Sequence, residues 1–235
     1  VPAQRRVTTA KAQVLLLLAV ATAAVAVLLP RGADAAAFST RPAVTIADDA
    51  PTVTFIGDSW SVGRGATDLY GYAPRTADQL GWHADVLGVG GSGYSVPGPH
   101  DNVFAERIGA AVATRAEIIV VQGSLNERHS TPEALARAAT ATLADLRARA
   151  DPGTRILVIG ACENPGTPDT TMHWINEEIG AAAEKAGLPF VDPAAEGWLD
   201  PDDAPLWADT IHPSDLGHEV FARRLVPRLH GLLGT

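Results

Sequence analysis

Apolar residues along this chain fall into short unbroken runs, each closed by residues that turn the backbone. Val53-Thr54-Phe55-Ile56 stops at Gly57-Asp58, and Ala84 to Val89 stops at Gly90-Gly91-Ser92-Gly93. Glu117 to Val121 runs up to Gly123, and Arg155 to Ile159 ends at Gly160. Pro189-Phe190-Val191 is a shorter fifth run. Runs of this kind, without polar alternation, suit parallel strands covered on both faces. Between them the period changes. Thr131-Pro132-Glu133 opens a helix, with Thr131 as N-cap and Pro132 in the first position, and Leu135, Ala139, Thr142 and Leu146 follow on one face. Met172, Ile175, Ile179, Ala182 and Ala186 form a second face closed by Gly187. Ser214 to Leu233 supplies a last helix, with a break or kink expected at Pro227. Strands alternating with helices predict an α/β fold, a three-layer α/β/α sandwich around a mostly parallel sheet of about five strands.

The first residues follow a different pattern. Arg5, Arg6 and Lys11 precede Val14 to Leu29, an uncharged run in which Thr22 is the one polar residue, and small residues follow at 33–37. A basic start, an apolar run and an A-x-A end describe an export signal. Cleaved, residues 1–37 are a signal peptide; uncleaved, they are an N-terminal membrane anchor. In both cases the segment engages the export machinery, and the domain is expected outside the cytoplasm, extracellular or in the cell envelope. Residues 38–51 read as a polar linker and 52–235 as the folded domain.

Composition narrows the function. With 46% hydrophobic and 19% charged residues, the bulk of the chain is not disordered. A lone cysteine excludes an internal disulfide framework and a thiolate metal site. Residues 51–235 hold 13 basic and 24 acidic side chains, a net of −11. No basic patch is present, which argues against nucleic acid as a partner. The same charge argues against strongly anionic substrates by long-range repulsion.

In parallel α/β sheets the chemistry lies beyond the carboxyl ends of the strands. The loops there read Gly57-Asp58-Ser59-Trp60-Ser61, then Gly90-Gly91-Ser92-Gly93, then Gly123-Ser124-Leu125-Asn126-Glu127; near the C-terminus stands Asp209-Thr210-Ile211-His212. Each alone has an ordinary explanation in caps and turns. Together they supply a serine hydroxyl, a base for it in His212, and a carboxylate in Asp209 one turn away to orient the base. Gly91 N–H, the Asn126 amide and Ser59 N–H are donors of the right type for an oxyanion.

This set resembles the SGNH/GDSL hydrolase family, whose four marks map onto Ser59, Gly91, Asn126 and Asp209/His212. The resemblance covers residues 51–235. It implies the flavodoxin-like sheet of that family and a serine esterase acting on carboxylic esters, with short acyl groups such as acetyl favoured in so small a domain. It implies no cofactor and no metal, with a small-molecule or polysaccharide ester as the partner; oligomeric state is left open. An O-acyltransferase or a long-acyl lipase or lysophospholipase would use the same triad. A catalytically silent envelope-binding protein is the rival of another class.

Three departures stand out. Trp60 replaces the family's leucine after G-D-S. The third block has one residue more than G-x-N-D, and Glu127 replaces its aspartate. The glycine register is open between Gly90 and Gly91, with Gly91 taken as the donor. The G-x-S-x-G elbow of α/β-hydrolases is absent around Ser59. Trp60, Tyr94, Glu163 and Trp207 are expected to border the substrate. Cys162 is expected as a small buried residue, and His218 as structural.

Overall fold

The computed structural model describes residues 44–234. The leader expected at residues 1–37, and residues 38–43 of the linker, lie outside the described residues. Among the described residues no helix is long and apolar enough to cross a membrane.

All five apolar runs form strands: β1 (Thr52–Gly57), β2 (His83–Gly88), β3 (Ile118–Gln122), β4 (Arg155–Ile159) and β5 (Phe190–Val191). They pair in parallel in the order β2-β1-β3-β4-β5. Strand residues alternate between two cores, as the two-residue period requires. Ile119 and Val121 join one cluster, while Ile118 and Val120 join the other. Among the described residues six α-helices cover the sheet: α1 (Ser59–Val62), α2 (Tyr72–Leu80), α3 (Ile108–Ala113), α4 (Pro132–Arg149), α5 (Asp169–Lys185) and α6 (Asp215–Leu233). The first core takes Leu135, Leu143 and Ile175 from α4 and α5. The second takes Tyr72 and Ala73 from α2 and Phe221, Leu225 and Leu229 from α6. The three-layer sandwich is therefore present.

The helix signals act as read. The Thr131 side chain accepts from Ala134 N–H, and Gly187 has φ +64° just past α5. Two expectations need correction. β2 is an edge strand with Ala84, Asp85 and Val86 exposed, so burial on both faces does not hold for it. α6 is not broken at Pro227. That proline removes one hydrogen bond, but Leu225 and Leu229 on either side are fully buried and anchor both halves.

One buried group in α6 makes stability depend on pH. His218 Nδ1 accepts from Tyr72 N–H at 3.1 Å, and Nε2 donates to the Arg64 carbonyl at 3.0 Å. The ring is therefore neutral, and burial pushes its pKa down to about 4. A group depressed from 6.5 contributes stability above that value and loses it as pH falls toward 4. The loss is about 3 kcal/mol. Asp58 and Glu127, raised chiefly by burial, shift stability the other way. The readout is therefore a difference: urea melts of His218→Gln should be flatter than wild type between pH 6.5 and 4. Parallel pH profiles would refute this account.

Candidate active site

The sheet order reverses direction between β1 and β3, and a crevice opens there at the carboxyl ends. The loops after β1, β2 and β3 meet at it. A cleft of about 370 Å³ is lined by Ser59, Trp60, Gly90, Gly91, Asn126 and His212, together with Asp58, Arg64, Leu125, Arg128 and Ile211.

Ser59 is held by the turn that ends β1. Asp58 caps α1 by accepting from Trp60 N–H at 2.9 Å, which leaves Ser59 as the first helical residue. A Cβ on Gly57 would fall 1.9 Å from Ser61 Oγ, so only glycine allows this close turn. Ser59 Oγ lies 3.0 Å from His212 Nε2, and His212 Nδ1 lies 2.8 Å from Asp209 Oδ2. The other carboxylate oxygen of Asp209 accepts the N–H groups of Ile211 and His212, each at 2.7 Å. Partial burial acts to raise the Asp209 pKa, but these hydrogen bonds outweigh it and hold the carboxyl below its usual range. The Asp209–His212 turn is itself braced. Ala208 N–H donates to the His212 carbonyl at 2.9 Å, and Gly166 N–H donates to the Thr210 carbonyl at 2.7 Å. Gly65, at φ +95°, lets the loop after α1 come close to His212 and Pro213.

The three oxyanion donors predicted from sequence reach the same cleft. Ser59 N–H heads α1, where no preceding helical carbonyl can take it. Gly91 has φ +79°, a conformation that explains glycine there, and Gly90 lines the cleft beside it. Asn126 Nδ2 donates to the Ser92 carbonyl at 2.9 Å and reaches Asp58 Oδ2 only at 3.4 Å. The second, long contact can be exchanged for a better acceptor. The arrangement can therefore take a proton from a hydroxyl and hold negative charge on an oxygen beside it.

Buried charges the motifs did not reveal support these loops. Asp58 Oδ2 accepts from Ser124 Oγ at 2.8 Å, and Ser124 Oγ accepts from Asn126 N–H at 3.0 Å. Burial pushes the Asp58 carboxyl up, against the hydrogen bonds of Trp60 N–H and Ser124 and the charges of His212 and Arg107. The Arg107 guanidinium donates to the carbonyls of Gly57 at 2.8 Å and Leu87 at 3.1 Å, and to Ser92 Oγ at 3.0 Å. Glu127, fully buried, accepts from Ser95 N–H at 3.1 Å and from the Ser95 hydroxyl. Its extra methylene, relative to the family's aspartate, ties the third loop to the glycine loop. The signal for Asp58 was its place in the G-D-S block; for Arg107 no local signal exists.

Of the four substrate-bordering candidates, Trp60 is in the cleft wall, packed edge-on to Phe221 and Trp207 with ring centres 5.9 and 6.1 Å away. Tyr94 is corrected, whereas Trp207 and Glu163 are not among the residues that line this cleft. Tyr94 is 2% exposed and packs on Phe104 in the core, because the chain turns inward after Gly93. Trp207 stands behind Trp60 and donates from Nε1 to the Asp200 carbonyl at 3.0 Å. Glu163 is outside the cleft walls; burial raises its pKa, as do Asp169, Asp192 and Asp200. Cys162 is buried, and burial pushes its thiol pKa up. Among the described residues no group of three His, Cys, Asp or Glu side chains is placed to hold a metal ion.

Comparison with known proteins adds to this geometry. A family model described as GDSL-like lipase/acylhydrolase matches residues 55–220. A GDSL lipase of Mycobacterium tuberculosis is 35% identical over 185 residues, covering 74% of this chain and 80% of that protein. The lipase/acylhydrolase of Enterococcus faecalis has a TM-score of 0.60 at 15% identity, over 77% of this chain and 96% of that one. A family two carbohydrate esterase of Clostridium thermocellum, solved with cellohexaose, has a TM-score of 0.63 at 16% identity, over 78% of this chain and 65% of that one. These structural likenesses concern the fold.

Proposed function

Because the chain belongs to the GDSL-like lipase/acylhydrolase family, we propose that it is an exported serine esterase of short-acyl carboxylic esters. Family membership makes hydrolysis of esters its class of chemistry. The observation that carries the serine mechanism is the unbroken chain from Ser59 Oγ through His212 to Asp209, at 3.0 and 2.8 Å, in the cleft that also holds the three donors.

Ser59 Oγ attacks the ester carbonyl carbon as its proton passes to His212 Nε2. The carbonyl electron pair moves onto oxygen, where Ser59 N–H, Gly91 N–H and the Asn126 amide receive it. Asp209 keeps the ring in the tautomer that leaves Nε2 free to accept, and stabilises the imidazolium. Collapse expels the alcohol, which takes the proton from His212. Water then attacks the acyl-enzyme, gives a proton to His212, and releases the carboxylic acid with Ser59 restored.

Cleft size supports short acyl groups. About 370 Å³ with Trp60, Leu125 and Ile211 as its large apolar walls holds an acetyl or butyryl group more readily than a fatty chain. Acetyl groups on carbohydrate are one such substrate. Export rests on the basic start and apolar run of residues 1–37.

A fluorophosphonate probe should label Ser59, read by peptide mass spectrometry, and 4-nitrophenyl esters should be cleaved fastest from acetate to butyrate. Unlabelled Ser59 in folded protein would refute the serine mechanism. A preference for acyl chains above about eight carbons would refute the short-acyl assignment.

A further inference from the structure

Two arginines stand in the cleft wall without a counter-charge. Arg64 follows the short helix α1, five residues after Ser59. Arg128 lies in the turn Leu125–His129, two residues after Asn126. Among the described residues neither makes an ion pair, and the Arg128 guanidinium has only a 3.5 Å hydrogen bond to the Leu125 carbonyl. Arg75, Arg149, Arg223 and Arg228 pair with carboxylates, whereas among the described residues Arg115, Arg137, Arg147, Arg155 and Arg224 do not; what sets Arg64 and Arg128 apart is that both line the cleft. The domain has a large surplus of carboxylates, so two unpaired cations converging on one cleft are not explained by a shortage of partners.

The cleft does not neutralise them from within. Among the described residues Asp58 is the one carboxylate in its wall, and its oxygens are taken by Trp60 N–H, Ser124 Oγ and Asn126 Nδ2. Asp209 is engaged by His212 and two N–H groups. The Arg64 backbone is fixed while its side chain is exposed. Its N–H donates to the Ser59 carbonyl at 2.9 Å, and its carbonyl accepts from His218 Nε2 at 3.0 Å. A planar guanidinium carried on a fixed backbone at the cleft rim suits a carboxylate or phosphate, which it can hold through two parallel hydrogen bonds.

We propose that Arg64 and Arg128 form a cationic subsite beside Ser59 that selects esters bearing a negative charge near the scissile carbonyl. The proposal rests on the esterase reading for the identity of the reacting group, and it reverses the expectation drawn from net charge. Net charge governs long-range approach, whereas inside a cleft, within a Debye length of about 8 Å, the nearest charges dominate. The anion can sit on the alcohol side, as a phosphate, or on the acyl side, as a second carboxylate. Two substrate pairs separate these sources.

The test compares the full chain with Arg64→Gln, Arg128→Gln and the double variant. The alcohol-side pair is 1-butyrylglycerol 3-phosphate against 1-butyrylglycerol. The acyl-side pair is mono-4-nitrophenyl glutarate against 4-nitrophenyl pentanoate, with spontaneous hydrolysis subtracted. Wild type should favour at least one anionic member by roughly tenfold or more in kcat/KM, mostly through KM. The preference should shrink as salt rises from about 0.05 to about 0.5 M, and in the double variant it should collapse to near parity. A second arm needs no turnover: Ser59→Ala protein, with and without the double substitution, is titrated calorimetrically with 1-butyrylglycerol 3-phosphate and with glutarate. Loss of roughly tenfold in affinity for either on removing both arginines supports the subsite. If wild type hydrolyses esters but shows no anionic preference, or keeps it without the arginines, the subsite falls and the esterase stands. If no ester is turned over, arginine-dependent anion binding keeps the subsite while the esterase falls. Equal binding by both proteins refutes the subsite.

Discussion

With Ser59 replaced by alanine, kcat for ester hydrolysis is expected to fall by at least about 10³-fold, about 4 kcal/mol of barrier, while the thermal melt stays in place. The size of the effect follows from the absence of a substitute nucleophile. Ser59 Oγ is the hydroxyl within 3.0 Å of His212 Nε2. Cys162 is sealed in the core, and its raised thiol pKa leaves it protonated at neutral pH. Residual activity should come from the oxyanion donors and from binding, which do not depend on the Ser59 side chain. Fold is retained because the hydroxyl's hydrogen bond is to a loop histidine rather than to a strand or core group. Initial rates on 4-nitrophenyl acetate and circular-dichroism melts check both halves. A variant that keeps more than about a tenth of wild-type kcat would overturn the assignment of the nucleophile.

Arg107→Ala should be the most damaging change outside the reacting residues. Arg107 is 6% exposed and lies 4.9 Å over the Phe104 ring. Burial pushes its pKa down to about 10, with Asp58 opposing, so it is charged at neutral pH. It holds together the carbonyl of Gly57 at the end of β1, that of Leu87 next to the end of β2, and the Ser92 hydroxyl. Truncation takes the guanidinium donor from the Leu87 carbonyl and the Ser92 hydroxyl, leaves the Gly57 carbonyl with Val89 N–H, and removes the nearby charge that favours ionised Asp58. The expected cost is about 3–5 kcal/mol. In a domain of this size that is a fall in Tm of roughly 10 °C or more. Lysine should recover little, since one ammonium cannot reproduce the planar fork across three acceptors. Differential scanning calorimetry reads this directly, and a Tm within about 2 °C of wild type would show that the network is not holding the loops.

The parts of the site legible in the sequence share one property: each is defined by short-range spacing within one turn or loop. Ser59 follows β1 by two residues, and Asp209 precedes His212 by three. One backbone turn suffices to place such groups, so residue type and spacing carry the information. Tyr94 and Trp207 show the limit of that information. Both neighbour a site residue in sequence, yet one points into the core and the other backs Trp60. Sequence proximity does not say which side of a loop faces solvent. Helices α2 and α3 were not read for a related reason. α2 carries Pro74 and is stabilised from outside by Phe221 and His218, and α3 has only six residues.

By itself the sequence determined the alternation of strand and helix, the parallel sheet, and the residue types that make a serine available after β1 and a base and an acid available in one turn before α6. These are consequences of local periodicity and local turns. Only the tertiary structure decided that Arg107, fifty residues beyond Gly57, would bind the ends of two strands, that Glu127 would seize the backbone of Ser95, and that Arg64 and Arg128 would share one cleft. Charge is the reason for the division. A charged side chain has no periodic signature, and its meaning depends on distance and burial. Both are set when the crossovers fold over the sheet and bring remote loops together.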